Sequence, residues 1–339
     1  MKAEDPNHRP TISDVAAIAG VSRATVSRVV NGGHWVAPET EAKVEAAIEQ
    51  TGYSANRHAR SLASGRSNSV ALVLVESEHS LFADPVFEPI LRGVAHNLAE
   101  HDLVMGLMLA GADKDRTRLE SYITTGHFDG VVLVSPHTSS AGLIQRLAKS
   151  HVPTVICGAP MGYGGKISYV SADDRDGARQ AVRYLQQRGC QAIATVAGPG
   201  DLPGGRDRLD GYRDVVGSAY DAALVVEVAR FAREDGRTAA AELLDRGVSF
   251  DGLFAASDLL AAGVMDEFER RGVLVPDDVA VVGFDDSPVA LETRPPLTTM
   301  AQPFDRIARE MIRVLLASID GDASMTVTLP TTLVRRGSA

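Results

Sequence analysis

From residue 70 onward the chain alternates short apolar runs with longer amphipathic stretches, and nothing else in the sequence restricts the fold as much. The runs are VALVLV (70–75), LVMGLML (103–109), GVVLV (130–134), PTVIC (153–157), AIATVAG (192–198), LVVEVA (224–229), GLFAAS (252–257) and VAVVGF (279–284). They are nearly continuous rather than alternating polar and apolar. Strands of that kind are buried on both faces, which predicts parallel sheets covered by helices. The series divides near residue 169 and so predicts two α/β subdomains. Parallel sheets bind ligands at the carboxyl ends of their strands, and a cleft between two of them is the natural place for a small molecule.

The segment before residue 70 has a different texture. In TISDVAAIAGVSRATVSRVVN (11–31), Thr11 and Asp14 are spaced as a capping box that opens a helix over 12–19. Val15 and Ala19 share one face of it, and Gly20 suits the left-handed position that ends a helix. Val21 bridges the turn, and Ser22 is placed to cap a second helix that runs to about Val30. On that helix Val26, Val29 and Val30 point one way; Arg23, Ala24, Ser27 and Arg28 point the other. The outer face is short-chained and basic, with no carboxylate. Such a face can enter a DNA major groove, where arginine pairs with guanine and serine or threonine donates to phosphate or base.

DNA is a polyanion, and the chain has a net charge of −10. The acidity lies elsewhere, however. Residues 1–68 carry eight Lys/Arg against seven Asp/Glu, and 23–28 and 57–66 hold basic residues without acidic ones. Surface fields decay over about 8 Å at physiological salt, so a local basic face can meet phosphate while distant acidic surface is screened. A third helix is expected in PETEAKVEAAIEQTGY, with Pro38 in its first turn and Val44, Ala47 and Ile48 on one face. Three helices can enclose a small core. The segment NRHARSLASGRSNS (56–69) then supplies a basic stretch and a flexible linker. Its single apolar Leu62 has no core to join, and a minor-groove wedge would employ it.

These N-terminal elements closely resemble the DNA-binding headpiece of the lactose/galactose repressor family. The matching stretches are TISDVAAIAGVSRATVSRVVNG, VAPETEAKVEAAIEQTGY and NRHARSLASG. The resemblance implies major-groove contacts from Ser22, Arg23, Ala24, Thr25, Ser27 and Arg28, with Arg23 and Ala24 most decisive for operator choice. It implies a hinge helix in the minor groove, carried by Asn56, Arg57, Ala59, Arg60 and Leu62. Ala37 departs from the family's frequent capping serine, which weakens the start of the third helix by about 1 kcal/mol.

Residues 70–337 resemble the family's effector domain, a relative of type I periplasmic sugar-binding proteins. The landmarks are FADPVFEPILRGV, VSADDRDGARQAVRYLQQRGCQAIATVAGP, GGRDRLDGYRD, FAASDLLAAGVMDEFERRG, VPDDVAVVGFDDSP and PPLTTMAQP. The implied architecture is a small all-α helix-turn-helix headpiece (10–55), a hinge and linker (56–69), and two doubly wound parallel-sheet subdomains. The first subdomain is expected over 70–168 plus 298–323 and the second over 169–294 plus 327–337. Crossings between them are expected near 168–170, 294–298 and 323–327. By position, the resemblance places Val86, Phe87, Arg208, Phe231, Ser257 and Asp285 on an effector. Carboxylate and guanidinium suit adjacent hydroxyls and a ring suits an apolar sugar face, so a sugar or sugar derivative is expected. Ser257 stands where asparagine is frequent, while Asp258 and Asp286 are expected to cap helices rather than to touch ligand.

The expected protein is a DNA-binding regulator and repressor, homodimeric on a roughly palindromic operator and cytoplasmic, since MKAEDPNHRP has no apolar signal segment. No cofactor or metal is implied. The glycines of AGPGDLPGG do not form a dinucleotide fingerprint, no phosphate-binding GK[ST] loop occurs, and the nine histidines form no HExxH motif. Two isolated cysteines, Cys157 and Cys190, form neither a disulfide framework nor a zinc site. An NAD-dependent oxidoreductase therefore fits poorly. A transport-type sugar-binding protein would share the body but would have an export signal where the headpiece stands.

Overall fold

A computed structural model describes residues 10–30, 36–53, 66–163 and 166–339. The chain divides into two compact units, residues 1–67 and 68–339.

The first unit contains α1 (Ile12–Ala19), α2 (Arg23–Val30) and α3 (Pro38–Thr51). The Asp14 carboxylate accepts from both the backbone N–H and the hydroxyl of Thr11, each at 2.7 Å, so the helix starts where the sequence signals it. Gly20 ends α1 at φ 67°, and Val21 N–H returns to Ala16 O at 3.1 Å. Ser22 Oγ accepts from Thr25 N–H at 3.1 Å and opens α2. Val15, Ala16, Val26, Val44 and Ala47 form the core, with Ala19, Val29, Val30 and Ile48 packed partly against it. Ala37 caps α3 without a side-chain bond, and Pro38 stands in the first turn. The expected hinge at 56–64 lies outside the described residues.

The second unit holds two six-stranded sheets. The first comprises β1 (Ser69–Leu74), β2 (Val104–Leu109), β3 (Gly130–Val134), β4 (Thr154–Cys157), β5 (Ser168–Ala172) and β11 (Thr326–Leu329), in the order β2-β1-β3-β4-β5-β11. The second comprises β6 (Ile193–Ala197), β7 (Val225–Glu227), β8 (Gly252–Ala255), β9 (Ala280–Asp285), β10 (Thr298–Ala301) and β12 (Thr332–Val334), in the order β7-β6-β8-β9-β10-β12. All pairings are parallel except β10 with β12. β1 and β3 run in register with Val70 opposite Gly130, and their side chains are buried on both faces.

Each sheet is covered by helices. On the first lie α4 (Glu78–Ala83), α5 (Phe87–Ala99), α6 (Asp113–Tyr122), α7 (Ala141–Lys149) and α13 (Phe304–Ile319). On the second lie α8 (Asp174–Gln187), α9 (Pro203–Val216), α10 (Arg233–Asp245), α11 (Asp258–Arg271) and the short α12 (Val289–Glu292). Helices α5 and α13 approach closely at Gly93, where an added Cβ would stand 2.6 Å from the Ala308 methyl.

The crossings between the lobes fall later than the sequence suggests. β5 belongs to the first sheet through Ala172, so the first crossing is at Asp173. β10 pairs with β9, which moves the second crossing from 294–298 to Gln302–Pro303. β11 pairs with β5, which moves the third from 323–327 to Pro330–Thr331. In each case a strand that the apolar pattern did not flag extends its sheet to the lobe boundary. Among the described residues no helix is long and apolar enough to cross a membrane.

Candidate functional site

Two separate surfaces carry the expected chemistry. On α2, Arg23, Ala24 and Arg28 are exposed, Ser27 and Thr25 are half-buried, and Val26 faces the core at 0 % exposure. The hydroxyls of Ser22 and Thr25 lie 2.9 Å apart, which fixes the entry to this helix. Its outer face thus has the basic, short-chained character that a groove-reading helix needs. Asn56, Arg57, Ala59, Arg60 and Leu62 lie outside the described residues.

The second site is a cavity of about 440 Å³ between the two lobes of the larger unit. It is built from strand ends, as parallel sheets dictate. The first lobe contributes the loops after β1 and β3 and the start of α5, including Glu76, Asp84 and His137. The second contributes Arg208 from α9, Phe231 from the loop after β7 and Asp285 from the end of β9. Of the residues expected from the sequence, Val86, Phe87, Arg208, Phe231 and Asp285 all line this cavity.

Ser257 does not line it. Its buried hydroxyl caps α11 by accepting from Leu260 N–H at 3.2 Å. The expectation of an effector contact there is corrected, because the helix start occupies the side chain. Nor do Asp258 and Asp286 cap helices. Asp258 accepts from Thr299 Oγ1 at 2.5 Å and Ser287 N–H at 2.7 Å, and Asp286 pairs with Arg336 at 2.6 Å.

Arg208 organises the second-lobe wall. Its Nε donates to Asp174 Oδ1 at 2.8 Å and its Nη1 to Ala256 O at 2.6 Å, while Nη1 stands 3.2 Å from Asp285 Oδ1. The guanidinium carbon lies 3.8 Å from the Phe284 ring centre and 5.7 Å from that of Phe231. Asp285 also accepts from Gln302 Nε2 at 2.7 Å and holds a left-handed backbone, φ 112°. Strained backbone of this kind concentrates at functional sites. Phe231 rests on bare backbone: a Cβ on Gly198 would stand 2.2 Å from its ring.

The cavity's carboxyls are perturbed. Burial, reinforced by the charge of Asp285, pushes Asp84 up to about 7. Burial also raises Asp285 itself, against the pull of Arg208 and Gln302. Burial and then Asp285 raise Asp258. Cys157, on the cavity wall, is pushed up to about 12 by burial and stays a thiol. At the cavity's edge His137 lies between two carboxylates, 2.8 Å from Glu76 Oε1 and 2.8 Å from Asp201 Oδ2. Burial would lower its pKa, but the bonds and charges of Glu76 and Asp201 outweigh that and raise it. Those same contacts with His137, and the Ser135 hydroxyl at 2.7 Å, lower Glu76 against its own burial.

Sequence reasoning missed Glu76, Asp84, His137, Asp174 and Gln302. The usable signal for Glu76 and His137 was position: each follows a recognised apolar run by a few residues. A mainly apolar cavity that carries these hydrogen-bonding groups and the half-buried ring of Phe231 on its wall can hold a polyhydroxylated ligand.

Comparison with known proteins agrees with both surfaces. Residues 11–56 match the bacterial regulatory proteins of the lacI family, and residues 182–339 match the periplasmic binding protein-like domain. The HTH-type transcriptional regulator CelR of Thermobifida fusca is 42% identical over 325 residues, 95% of each chain. The ribose operon repressor of Escherichia coli (strain K12) is 32% identical over 344 residues, 97% of this chain and 99% of its own. A solved structure of a CelR–cellobiose complex superposes with a TM-score of 0.78 at 40% identity, covering 98% of this chain and 100% of that one. The Lac repressor dimer bound to operator and the anti-inducer ONPF gives 0.86 at 26% identity, covering 98% and 99%. A helix-turn-helix unit with a basic outer face, joined in one chain to a two-lobed ligand-binding domain, places this protein in the lacI family of bacterial regulatory proteins: it is a DNA-binding transcriptional regulator with an effector domain.

Proposed function

We propose that this regulator is a cytoplasmic homodimeric repressor, without catalytic activity, whose operator affinity is controlled by a disaccharide of the cellobiose class. The carrying observation is the interlobe cavity of about 440 Å³, with Arg208, Asp285 and Gln302 forming a hydrogen-bonding wall beside the ring of Phe231. That volume is within the ordinary range of about 300–1,000 Å³ for small-molecule sites. It has room for more than one sugar ring. The extended identity to CelR, solved with cellobiose, supports the same choice.

In this reading Asp285 accepts from sugar hydroxyls, Arg208 donates to hydroxyl oxygens, and Phe231 covers an apolar ring face. Val86 and Phe87 close the opposite wall. Arg23, Ala24 and Arg28 read the operator, with Ser22, Thr25 and Ser27 positioning α2 on phosphates. Asn56, Arg57, Ala59 and Arg60 carry the paired hinge segments in the minor groove, and Leu62 wedges there. Effector binding shifts the angle between the lobes and thereby the spacing of the two hinge segments, so sugar and operator affect each other's binding reciprocally.

Calorimetric titration with cellobiose, ribose and glucose, paired with gel shifts on the protein's own upstream DNA, tests this. Cellobiose is expected to bind and to change operator affinity, whereas the monosaccharides bind far more weakly. Tighter binding of ribose or glucose would overturn the disaccharide assignment.

A further inference from the structure

The contact of His137 with Asp201 differs in kind from the others at the cavity, because it joins the lobes. Glu76 and His137 stand in the loops after β1 and β3, both in the first sheet, and Asp201 stands in the loop after β6, in the second. The backbone reinforces the crossing: Thr138 N–H donates to Asp201 O at 2.9 Å. Glu76 is held in place on the other side by the Ser135 hydroxyl at 2.7 Å. Glu76 and His137 both line the cavity, so the bridge stands at its margin.

A neutral imidazole has one donor nitrogen and one acceptor. Here both ring nitrogens face ionisable carboxyl oxygens at 2.8 Å. Two donated bonds to two carboxylates require the imidazolium, and such charge-assisted bonds are stronger than neutral ones.

We propose that Glu76, His137 and Asp201 form an ionic clasp across the cleft, in which His137 is a positioning residue that holds the lobes together over a bound effector. The proposal rests on the effector reading above. Opening the lobes separates His137 from Asp201 and leaves it with Glu76 alone, so the closed arrangement binds the proton more tightly. Closure, and with it effector binding, is then linked to proton uptake. The raised pKa of His137 sets the sign. The clasp is fully present below the ordinary histidine range and is lost as pH rises through the raised value.

Other charged groups near the clasp are identifiable. His79 and Asp84 line the same cavity from α4 and the turn after it, and Asp285 and Arg208 line it from the second lobe. Arg116 on α6 holds the His137 loop by donating to Ser139 O at 2.7 Å. Asp84, at about 7, and Asp258, at about 8, titrate in wild type and variants alike, so His137 is read from the difference between them; Cys157, at about 12, titrates above the range.

The test is calorimetric titration of the full-length protein with cellobiose from about pH 6, below the ordinary histidine value, to about pH 9.5. Relative to the clasp variants, wild type is expected to lose affinity about fivefold across that range, the lower end of ordinary coupling between sites. His137→Gln and Asp201→Asn are expected to bind about fivefold more weakly than wild type at the lower pH and about equally with it at the higher. Parallel profiles in wild type and both variants overturn the clasp. If cellobiose does not bind at any pH, the effector reading fails and the clasp is judged on the unliganded wild type. Imidazole nitrogen shifts from histidine-labelled protein then decide: a His137 that keeps both ring protons above the ordinary histidine value of about 6.5 upholds it, and one that has lost a proton by that pH overturns it. The same spectrum decides if either variant fails to fold.

Discussion

Arg208 Nη1 stands 3.2 Å from Asp285 Oδ1, and each side chain is only 7% exposed. A charge pair this deeply buried contributes little net stability as a pair, but removing one member strands the other. Arg208 also holds Asp174 at 2.8 Å. Arg208→Leu therefore leaves two carboxylates without their cation and is expected to cost about 3 kcal/mol of effector-domain stability. Urea unfolding checks it; an unchanged midpoint would remove Arg208 from its central structural place.

Asp84 gives a prediction of opposite sign. Its folded pKa of about 7 lies above the ordinary carboxyl value. The folded state then binds more protons than the unfolded one, and stability falls as pH rises from about 4 through about 7. Asp84→Asn removes that buried charge. It is expected to raise stability by roughly 2 kcal/mol at pH 8 and to change little near pH 4, in paired thermal melts.

Gly198 has no room for a side chain. A methyl there would stand 2.2 Å from the Phe231 ring and push it into the cavity. Gly198→Ala is expected to weaken cellobiose binding about tenfold or more while operator affinity without sugar is retained. Phe231→Ala, which removes the stacking face, is expected to lose a similar amount. Titration of both variants shows whether ring position or ring presence matters more.

For DNA, Arg23→Ala is expected to change which operator is preferred, costing about 1–3 kcal/mol at one base pair. Selection from a randomised operator pool reads this directly. Equal weakening on every sequence would assign Arg23 to phosphate instead. Leu62→Ala is expected to abolish specific operator binding while cellobiose binding persists.

Much of the fold was legible because burial on both faces leaves an unbroken apolar signature. All eight apolar runs became strands, from Ser69–Leu74 to Ala280–Asp285. Two of the four unread strands, SYVSA (168–172) and TTMA (298–301), hide their burial behind hydroxyls. In TTMA (298–301), Thr298 Oγ1 accepts from Arg336 N–H at 2.9 Å and Thr299 Oγ1 donates to Asp258 at 2.5 Å. Threonines satisfied in this way enter a core without looking apolar. TVTL and TLV are short strands with exposed positions at the outer ends of their sheets. Missing β5, β10 and β11 displaced the three lobe crossings.

The cavity was legible where one side chain at a strand end carried the signal, as for Asp285. It was not legible where function resides in pairing. His137 meets Glu76 across 61 residues of sequence and Asp201 across 64, and no local spacing encodes either contact. Ser257 was misread for the converse reason: a strand-end residue that also begins a helix is used by that helix first.

The three crossings at Asp173, Gln302–Pro303 and Pro330–Thr331 also govern when the protein can acquire its shape. The helices at Ile12–Thr51 are complete early in synthesis, and their core draws on neighbouring sequence alone. The first sheet, though begun at Ser69, lacks its last strand until Thr326–Leu329 has left the ribosome, and the second waits for Thr332–Val334. Contacts this distant in sequence slow folding. A nascent chain thus has the helices that read DNA well before it has a finished sensor, and a transcript cut short near its end leaves both lobes unfinished rather than one.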